Sequence, residues 1–305
     1  VTAVPTVTGA PFKEMTGTRF DRTVFNVCSL YARYSGLDVG RWRAQLAAVH
    51  RLDVVRGDGR VRDIKTREGS RYLVDGNSQA GRILIATGDY EPETARIIGA
   101  SLKPGDTFID VGAHIGFFTV LAGRRVGPTG RVIAFEPGPA TRARLHANVQ
   151  HNRLGNVTIC DEALSDQPGR HSFSVGPSDD SGLATLRGGA IVGPTVDVTC
   201  ARFDDLIQAD VQVAGIKIDV EGAEAFVLAG MERCLRAHRP WIILEVTDAF
   251  LQSMGTRAAE MIEWLASLGY AGFAIGPESL VPLPTDLAGL PGQFNALFTQ
   301  SGKVE

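Results

Sequence analysis

Asp110-Val111-Gly112-Ala113-His114-Ile115-Gly116 is the stretch on which the fold turns. It ends an apolar run, residues 107–111, of the length of a buried strand, and leads into Phe117, Phe118, Val120 and Leu121 at helical spacing. A strand that runs through glycines into a helix is the opening unit of a doubly wound sheet. Ligands of such sheets sit beyond the carboxyl ends of the strands, where glycine lets backbone N–H groups approach them closely. The alternation continues downstream. Residues 132–136, 157–160, 216–220 and 241–246 are apolar runs of strand length, continuous as strands buried on both faces should be. Between them, 224–236 places Val227, Leu228, Met231 and Leu235 on one helical face, and Thr256 is set to cap a second helix carrying Met261, Ile262, Leu265 and Leu268. The pattern predicts an α/β fold, a Rossmann-like, mostly parallel sheet with helices on both faces. Residues 169–199, rich in Gly, Ser, Pro and Asp, break the rhythm and predict short strands and an exposed loop at the edge of the site.

Upstream of Gly88 the texture changes, which predicts two parts: 1–87 as an N-terminal arm and helical and strand cap, and 88–305 as the ligand-binding domain. Residues 1–16 lack periodicity and read as a loose arm. Phe20, Val24, Val27, Leu30, Tyr31 and Tyr34 mark an amphipathic helix that Gly36 ends, and a second short helix follows Asp38. Residues 52–55 and 71–74 read as strands around the turn Gly57-Asp58-Gly59. This part serves either as a cap over the substrate or as packing support.

At about 150 residues per domain, 305 residues make one large domain or a domain with an appendage. Lys and Arg number 31 against 34 Asp and Glu, a net charge of −3 that supplies no positive field for nucleic acid or an anionic membrane. Hydrophobic residues at 44% and charged residues at 21% match folded globular chains and exclude disorder. Cys28, Cys160, Cys200 and Cys234 lie far apart without CxxC, which argues against structural zinc and a disulfide framework. No apolar run reaches the roughly 18 residues of a bilayer span. Residues 1–11 lack the basic start and apolar core of a signal peptide, so a cytoplasmic protein is expected. Whether it is a monomer or a homodimer is left open.

Glu136 ends the second strand of the repeat, where a carboxylate can accept hydrogen bonds from both hydroxyls of a ribose. With the glycine turn it describes a nucleoside pocket. Gly112 and Gly116 form GxxxG, and the GxGxxG fingerprint of nicotinamide dinucleotides is absent. Asp110 points the same way, since an acidic rim suits the ammonium group of S-adenosylmethionine (SAM) better than a pyrophosphate. Alternation along 216–220 sends Lys217 and Asp219 to one face. Glu221 and Glu224 follow around Gly222, which permits a tight turn, so Asp219, Glu221 and Glu224 can meet at one rim. Structural roles are open for Glu224, as the first acid of a helix, and for Lys217, as a buried ion-pair partner.

From Gly88 to Thr299 the chain resembles the FkbM family of class I SAM-dependent methyltransferases. The likeness is carried by Gly88-Asp89-Tyr90-Glu91-Pro92, the glycine turn, Phe135-Glu136-Pro137 and Glu162-Ala163-Leu164-Ser165-Asp166. Its most specific part is Lys217-Ile218-Asp219-Val220-Glu221-Gly222-Ala223-Glu224. His114 stands where the family usually has Asn. The resemblance implies that 88–305 is a SAM-binding methyltransferase domain. Gly112, Ala113, His114 and Gly116 would shape the wall beside the methionine part, with Asp110 and Asp219 close to it. Glu136 would hold the ribose, next to Pro137, and Glu162 would accept from the adenine amine beside the Ala163 backbone. Tyr90 and Glu91 would close the pocket, Glu91 being equally placed as a first-turn helix acid.

Methyl transfer to a hydroxyl needs in-line approach of the oxygen to the methyl group and loss of a proton. Candidate catalytic residues are Asp219 and Glu221 as proton acceptors, Lys217 and Glu224 beside them, and His114 as a substitute base. In a second mechanism Asp219 and Glu245, at the ends of adjacent strands, hold a divalent cation such as Mg²⁺ that lowers the hydroxyl pKa, as in the catechol enzymes. The resemblance implies O-methylation of a small molecule: a polyketide or peptide natural product, or a sugar of a glycan or glycolipid. N-methylation is the nearest alternative, although Asp219-Val220-Glu221-Gly222 stands where amino-group methyltransferases carry Asn-Pro-Pro-Tyr. Further alternatives are a nicotinamide-dependent reductase, disfavoured by the lack of a Tyr-x-x-x-Lys pair, and an inactive cofactor-binding relic.

Overall fold

A computed structural model describes residues 60–76, 79–174, 195–277, 279–284, 287 and 289–300. It opens with β1 (Arg62–Lys65) and β2 (Arg71–Val74), an antiparallel hairpin. Residues 71–74 are a strand as expected, but their partner is 62–65, across a turn in which Thr66 N–H donates to Ser70 C=O at 2.9 Å. The strand at 52–55, the two helices before it and the arm lie outside the described residues. Helices α1 (Gln79–Thr87) and α2 (Pro92–Ser101) follow. Next come β3 (Thr107–Val111), α3 (Phe117–Val126), β4 (Arg131–Phe135), α4 (Pro139–His151) and β5 (Val157–Cys160). A side sheet of β6 (Ala163–Leu164), β7 (Gly169–Ser174) and β8 (Thr195–Ala201) interrupts the alternation, with β7 and β8 antiparallel. After a short α5 (Phe203–Leu206) the main sheet resumes with β9 (Gly215–Ile218), followed by α6 (Glu224–Gly230) and α7 (Glu232–His238). Then come β10 (Trp241–Thr247), α8 (Asp248–Ser253) and α9 (Ala258–Ser267), and the described chain closes with β11 (Tyr270–Ile275), β12 (Leu280–Pro282) and β13 (Gln293–Gln300).

The main sheet runs β12-β11-β13-β10-β9-β3-β4-β5. The strands from β10 to β5 are parallel, and β13 is antiparallel to both β10 and β11. This is the doubly wound strand order with β13 inserted antiparallel between β10 and β11, and with β12 antiparallel to β11 at the edge. Alternate residues serve opposite layers: Ile109, Ile133, Phe135, Ile216 and Ile218 join Val227 and Leu235, while Phe108, Val132 and Ala134 join Val120, Leu121 and Leu145. Apolar cover on both faces is the reason for the continuous runs. The second layer also takes in Ile64, Tyr72 and Leu84, so the hairpin and α1 pack on the same core as α3. Asn148 ties the hairpin to the glycine turn, accepting from Leu73 N–H at 2.7 Å and donating to Ile115 C=O at 2.8 Å.

Several boundaries differ from the sequence reading. β9 stops at Ile218 because Glu221 (φ +50°) and Gly222 (φ +104°) turn the chain. The helix expected over 224–236 is two, broken at Met231, where Gly230 abuts Ser165; a Cβ on Gly230 would lie 2.1 Å from the Ser165 carbonyl oxygen. Thr256 does not cap α9, since its hydroxyl donates to Leu251 C=O; Asp248 Oδ1 accepts the Ala258 N–H at 2.8 Å instead. No helix among the described residues is long and apolar enough to cross a membrane.

Candidate active site

The carboxyl ends of β3, β4, β9 and β10 border a cavity of about 380 Å³. One wall is the glycine turn. Asp219 N–H donates to Val111 C=O at 3.1 Å and draws the ends of β3 and β9 so close that a Cβ on Gly112 (φ +77°) would lie 1.9 Å from the Asp219 carbonyl oxygen. Only glycine meets both the φ and the spacing. The N–H groups of Gly112 and Ala113 both donate to Phe135 C=O at 3.0 Å. His114 is left-handed (φ +50°), and its N–H donates to Glu136 Oε2 at 2.8 Å. Glu136 Oε1 accepts from Gly138 N–H at 2.9 Å and Thr141 Oγ1 at 2.8 Å. A buried carboxylate is thereby held on the cavity wall by three donors.

On the β9 side, Lys217 Nζ meets Asp219 Oδ2 at 3.0 Å and lies 4.9 Å from the centroid of the Phe118 ring. Asp110, opposite Lys217 in the β3–β9 register, is buried. Its Oδ2 accepts from Thr119 at 2.5 Å, and its Oδ1 has no partner among the described residues. Burial works against the Lys217 charge, but Asp219, Asp110 and Glu91 outweigh it and hold the ammonium above the ordinary lysine range. Burial also works against the Asp219 charge, and Lys217 overrides it, keeping this carboxyl below the usual carboxylate range. Asp110 and Glu91 are raised by burial, which the same ammonium only partly offsets. Glu245 accepts from Gln293 Nε2 at 2.6 Å, and burial followed by the Asp219 charge pushes it up to about 8. The two carboxyls are thereby driven apart, Asp219 held low by Lys217 and Glu245 held high by burial and by the Asp219 charge, and they titrate as a pair.

Of the residues singled out from sequence, Tyr90, Glu91, Gly112, Ala113, His114 and Glu136 line the cavity. So do Lys217, Asp219, Glu221 and Glu245. Glu224 does not. Its carboxylate accepts the N–H groups of Val220 and Gly222 at 3.0–3.1 Å and clasps the turn, so only two of the three acids expected at one rim reach it. Burial pushes Glu224 up to about 7 against those N–H donors. Asp110 and Gly116 are outside the lining; Gly116 (φ +90°) lets α3 approach Leu145, 2.5 Å from where a Cβ would stand. Pro137, Glu162 and Ala163 are also outside it, Ala163 pairing with Cys200 in the side sheet. Glu91 precedes α2 with a left-handed φ of +42° rather than lying in its first turn, and its carboxylate accepts from Asn295 Nδ2 at 2.8 Å.

Sequence reasoning missed Ala80 and Ile83 on α1, Phe250 on α8, and Gln293. Phe250 follows β10 closely enough that the strand-end rule could have found it. Gln293 carried no such signal, because it opens an antiparallel strand whose amino end lies at the carboxyl ends of its neighbours.

Residues 110–271 match the methyltransferase FkbM domain family. Over 182 residues the chain is 35% identical to the 31-O-demethyl-FK506 methyltransferase FkbM of Streptomyces tacrolimicus, covering 49% of this chain and 68% of that protein. It is 28% identical over 179 residues to the hexuronic acid methyltransferase AglP of Haloferax volcanii, covering 58% of this chain and 70% of that one. The solved methyltransferase FkbM of Methylobacillus flagellatus KT is 15% identical with a TM-score of 0.43, over 92% of this chain and 59% of that chain.

Proposed function

The chain belongs to the FkbM family of SAM-dependent methyltransferases, and we propose that it methylates an oxygen of a small hydroxyl-bearing acceptor, a natural product or a sugar. The observation that carries this reading is the charged row Lys217, Asp219 and Glu245 on the wall of the cavity that Glu136 also lines. Cofactor and proton acceptor thus have neighbouring places. The cavity falls in the usual range for such ligands, about 300–1,000 Å³. Bound SAM would supply a methyl group on a cationic sulfur. Glu136 would receive the ribose: its three donors leave roughly one of the about four acceptor positions of a carboxylate open. Gly112, Ala113 and His114 would bring backbone against the methionine part.

The acceptor hydroxyl must lose its proton as its oxygen takes the methyl group. The Asp219–Glu245 pair, both on the cavity wall, would take that proton while the O–CH₃ bond forms, later returning it to water. Lys217 keeps the pair ionised enough to do this and fixes Asp219 in place. Glu221 and His114, also on the wall, are the substitutes for this role. A divalent ion fits the donors poorly. An ammonium already stands 3.0 Å from Asp219, Glu245 is bonded to Gln293, and no group of three metal-ligating side chains forms among the described residues. The reaction is therefore read without a metal step.

The test begins with thermal unfolding in S-adenosylhomocysteine (SAH) against NADH and NADPH. SAH at about 100 times its Kd should add roughly 2.7 kcal/mol, a rise of several degrees, and Glu136→Ala should abolish it. Asp219→Asn should keep the SAH response and lower methyl transfer by about 100-fold or more. Stabilisation by a nicotinamide cofactor instead of SAH would overturn the reading, and full turnover lost on exhaustive chelation would restore the metal.

A further inference from the structure

The two oxygens of Glu136 are unequally used. Oε2 accepts one bond, from His114 N–H at 2.8 Å, and keeps a second acceptor position. Oε1 accepts two, from Gly138 N–H at 2.9 Å and from the Thr141 hydroxyl at 2.8 Å, which fills it. A ribose presents two neighbouring hydroxyls. One of them finds its acceptor at Oε2, and the other has none unless Oε1 gives up a donor.

The Gly138 N–H is held in place. Arg142 Nη1 donates to the carbonyls of both Glu136 and Pro137, at 3.0 and 2.8 Å, and the second of these belongs to the same peptide unit as that N–H. Thr141 is free to turn. It is the third residue of α4 and 3% exposed, and its Oγ1 also lies 3.0 Å from Gly138 C=O, so a single O–H has two acceptors within reach. Without a ribose the charged acceptor takes it, since hydrogen bonds to ions are the stronger. Rotation of the hydrogen about the Cβ–Oγ1 bond hands it to Gly138 C=O and vacates a position on Oε1, while the hydroxyl stays bonded. Gly138 makes room for this arrangement: a Cβ there would lie 2.5 Å from Thr141 Oγ1 and 2.8 Å from Glu136 Oε1. Its φ is −67°, so the glycine answers to the space and not to the backbone. Thr141 does not line the cavity, and its effect on a ligand therefore passes through Glu136.

We infer that Thr141 is a hydroxyl latch on the ribose site, a positioning residue whose O–H turns from Glu136 to the Gly138 carbonyl as the cofactor binds, so that one carboxylate takes both ribose hydroxyls. The inference rests on the methyltransferase reading above and adds a residue to it. The bond gained at Oε1 is offset by the one that Thr141 gives up, whereas the bond at Oε2 has no such offset. The two ribose hydroxyls are thereby made unequal in worth.

The experiment is calorimetric titration of the full chain with SAH and with its 2′-deoxy and 3′-deoxy analogues. In the unaltered protein, loss of the hydroxyl that meets Oε2 should weaken binding about tenfold or more, and loss of the one that meets Oε1 about threefold or less. Thr141→Val keeps the shape of the side chain and removes the O–H, which leaves Oε1 open throughout. SAH should then bind as tightly as before or up to about tenfold more tightly, and the smaller of the two deoxy penalties should grow toward the larger. Thr141→Ser keeps the latch and should show the unequal penalties of the unaltered protein. Equal penalties in the unaltered protein overturn the inference, and this measurement needs no variant to fold. Weaker binding of all three ligands to Thr141→Val by one common factor also overturns it, being the mark of a hydroxyl that only braces Glu136. Failure of SAH to bind the unaltered protein overturns the methyltransferase reading instead, which separates the two failures.

Discussion

Replacing Lys217 by Met removes one charge, keeps most of the apolar stem, and asks whether a single ammonium holds the site together. Its Nζ stands 3.0 Å from Asp219 Oδ2, and its charge also reaches Asp110 and Glu91. Without it Asp110, Glu91, Asp219 and Glu245 are left as neighbouring carboxyls that have lost their main opposing charge. Breaking one side of a buried pair costs about 3–5 kcal/mol. The lower end is expected, because the Asp219 side chain is 24% exposed and can take up a proton. The sign with pH follows from linkage. In the unaltered protein the folded pKa of Asp219 is below its unfolded value, so its stabilisation is present above the unfolded pKa and is lost as pH falls through the folded one. In the variant burial has lost its main opponent and the folded pKa is expected to rise above the unfolded value, so ionisation destabilises as pH rises. The difference between the two proteins should therefore be largest in mild alkali and shrink toward the unfolded carboxylate pKa, about 4. Urea unfolding at three pH values reads it: a loss of about 3 kcal/mol near pH 8 and less than half of that near pH 5. Lys217→Met with Asp219→Asn should recover part of the loss. A deficit under about 1 kcal/mol near pH 8, or an equal deficit at every pH, would refute the reasoning.

Gly112→Ala combines a left-handed backbone with a Cβ 1.9 Å from the Asp219 carbonyl oxygen. Strain of about 1–2 kcal/mol from the backbone alone, plus separation of β3 from β9, should lower Tm by several degrees and weaken SAH binding; an unchanged melt would count against the close approach. Asp248→Ala removes the acceptor for the Ala258 N–H and should lower stability by about 1 kcal/mol in urea unfolding, whereas Thr256→Val should matter less. Glu224 has a folded pKa raised to about 7, so it contributes destabilisation that grows as pH climbs from its unfolded value to that point. Glu224→Gln should flatten that part of the stability–pH curve, and a curve of unchanged slope would show that the carboxyl is ionised throughout.

Much of this molecule is written locally. The run from Thr107 through the glycine turn to Glu136 could be read because parallel strands with apolar cover on both faces leave a continuous hydrophobic signature. Alternation along 216–220 was enough to put Lys217 and Asp219 on one face, and they do meet although β9 ends at Ile218. Glu224 shows where that logic stops. Spacing alone brings it near Asp219, but the left-handed turn at Glu221 and Gly222 aims its carboxylate at backbone N–H groups instead of the cavity. The break at Met231 likewise depends on Gly230 meeting Ser165, a contact between segments far apart in the chain.

The sequence by itself determined the α/β sheet, the glycine turn and the carboxylate after the second strand, since each follows from side-chain period and backbone conformation over a few residues. Tertiary structure alone decided which acids face the cavity and what accompanies them. Gln293 reaches Glu245 across 48 residues of chain, and Asn295 reaches Glu91 across 204. Both come from β13, an antiparallel strand slipped between parallel neighbours, and pairing of that kind leaves no local period to read because its partners are set by the closing of the whole sheet.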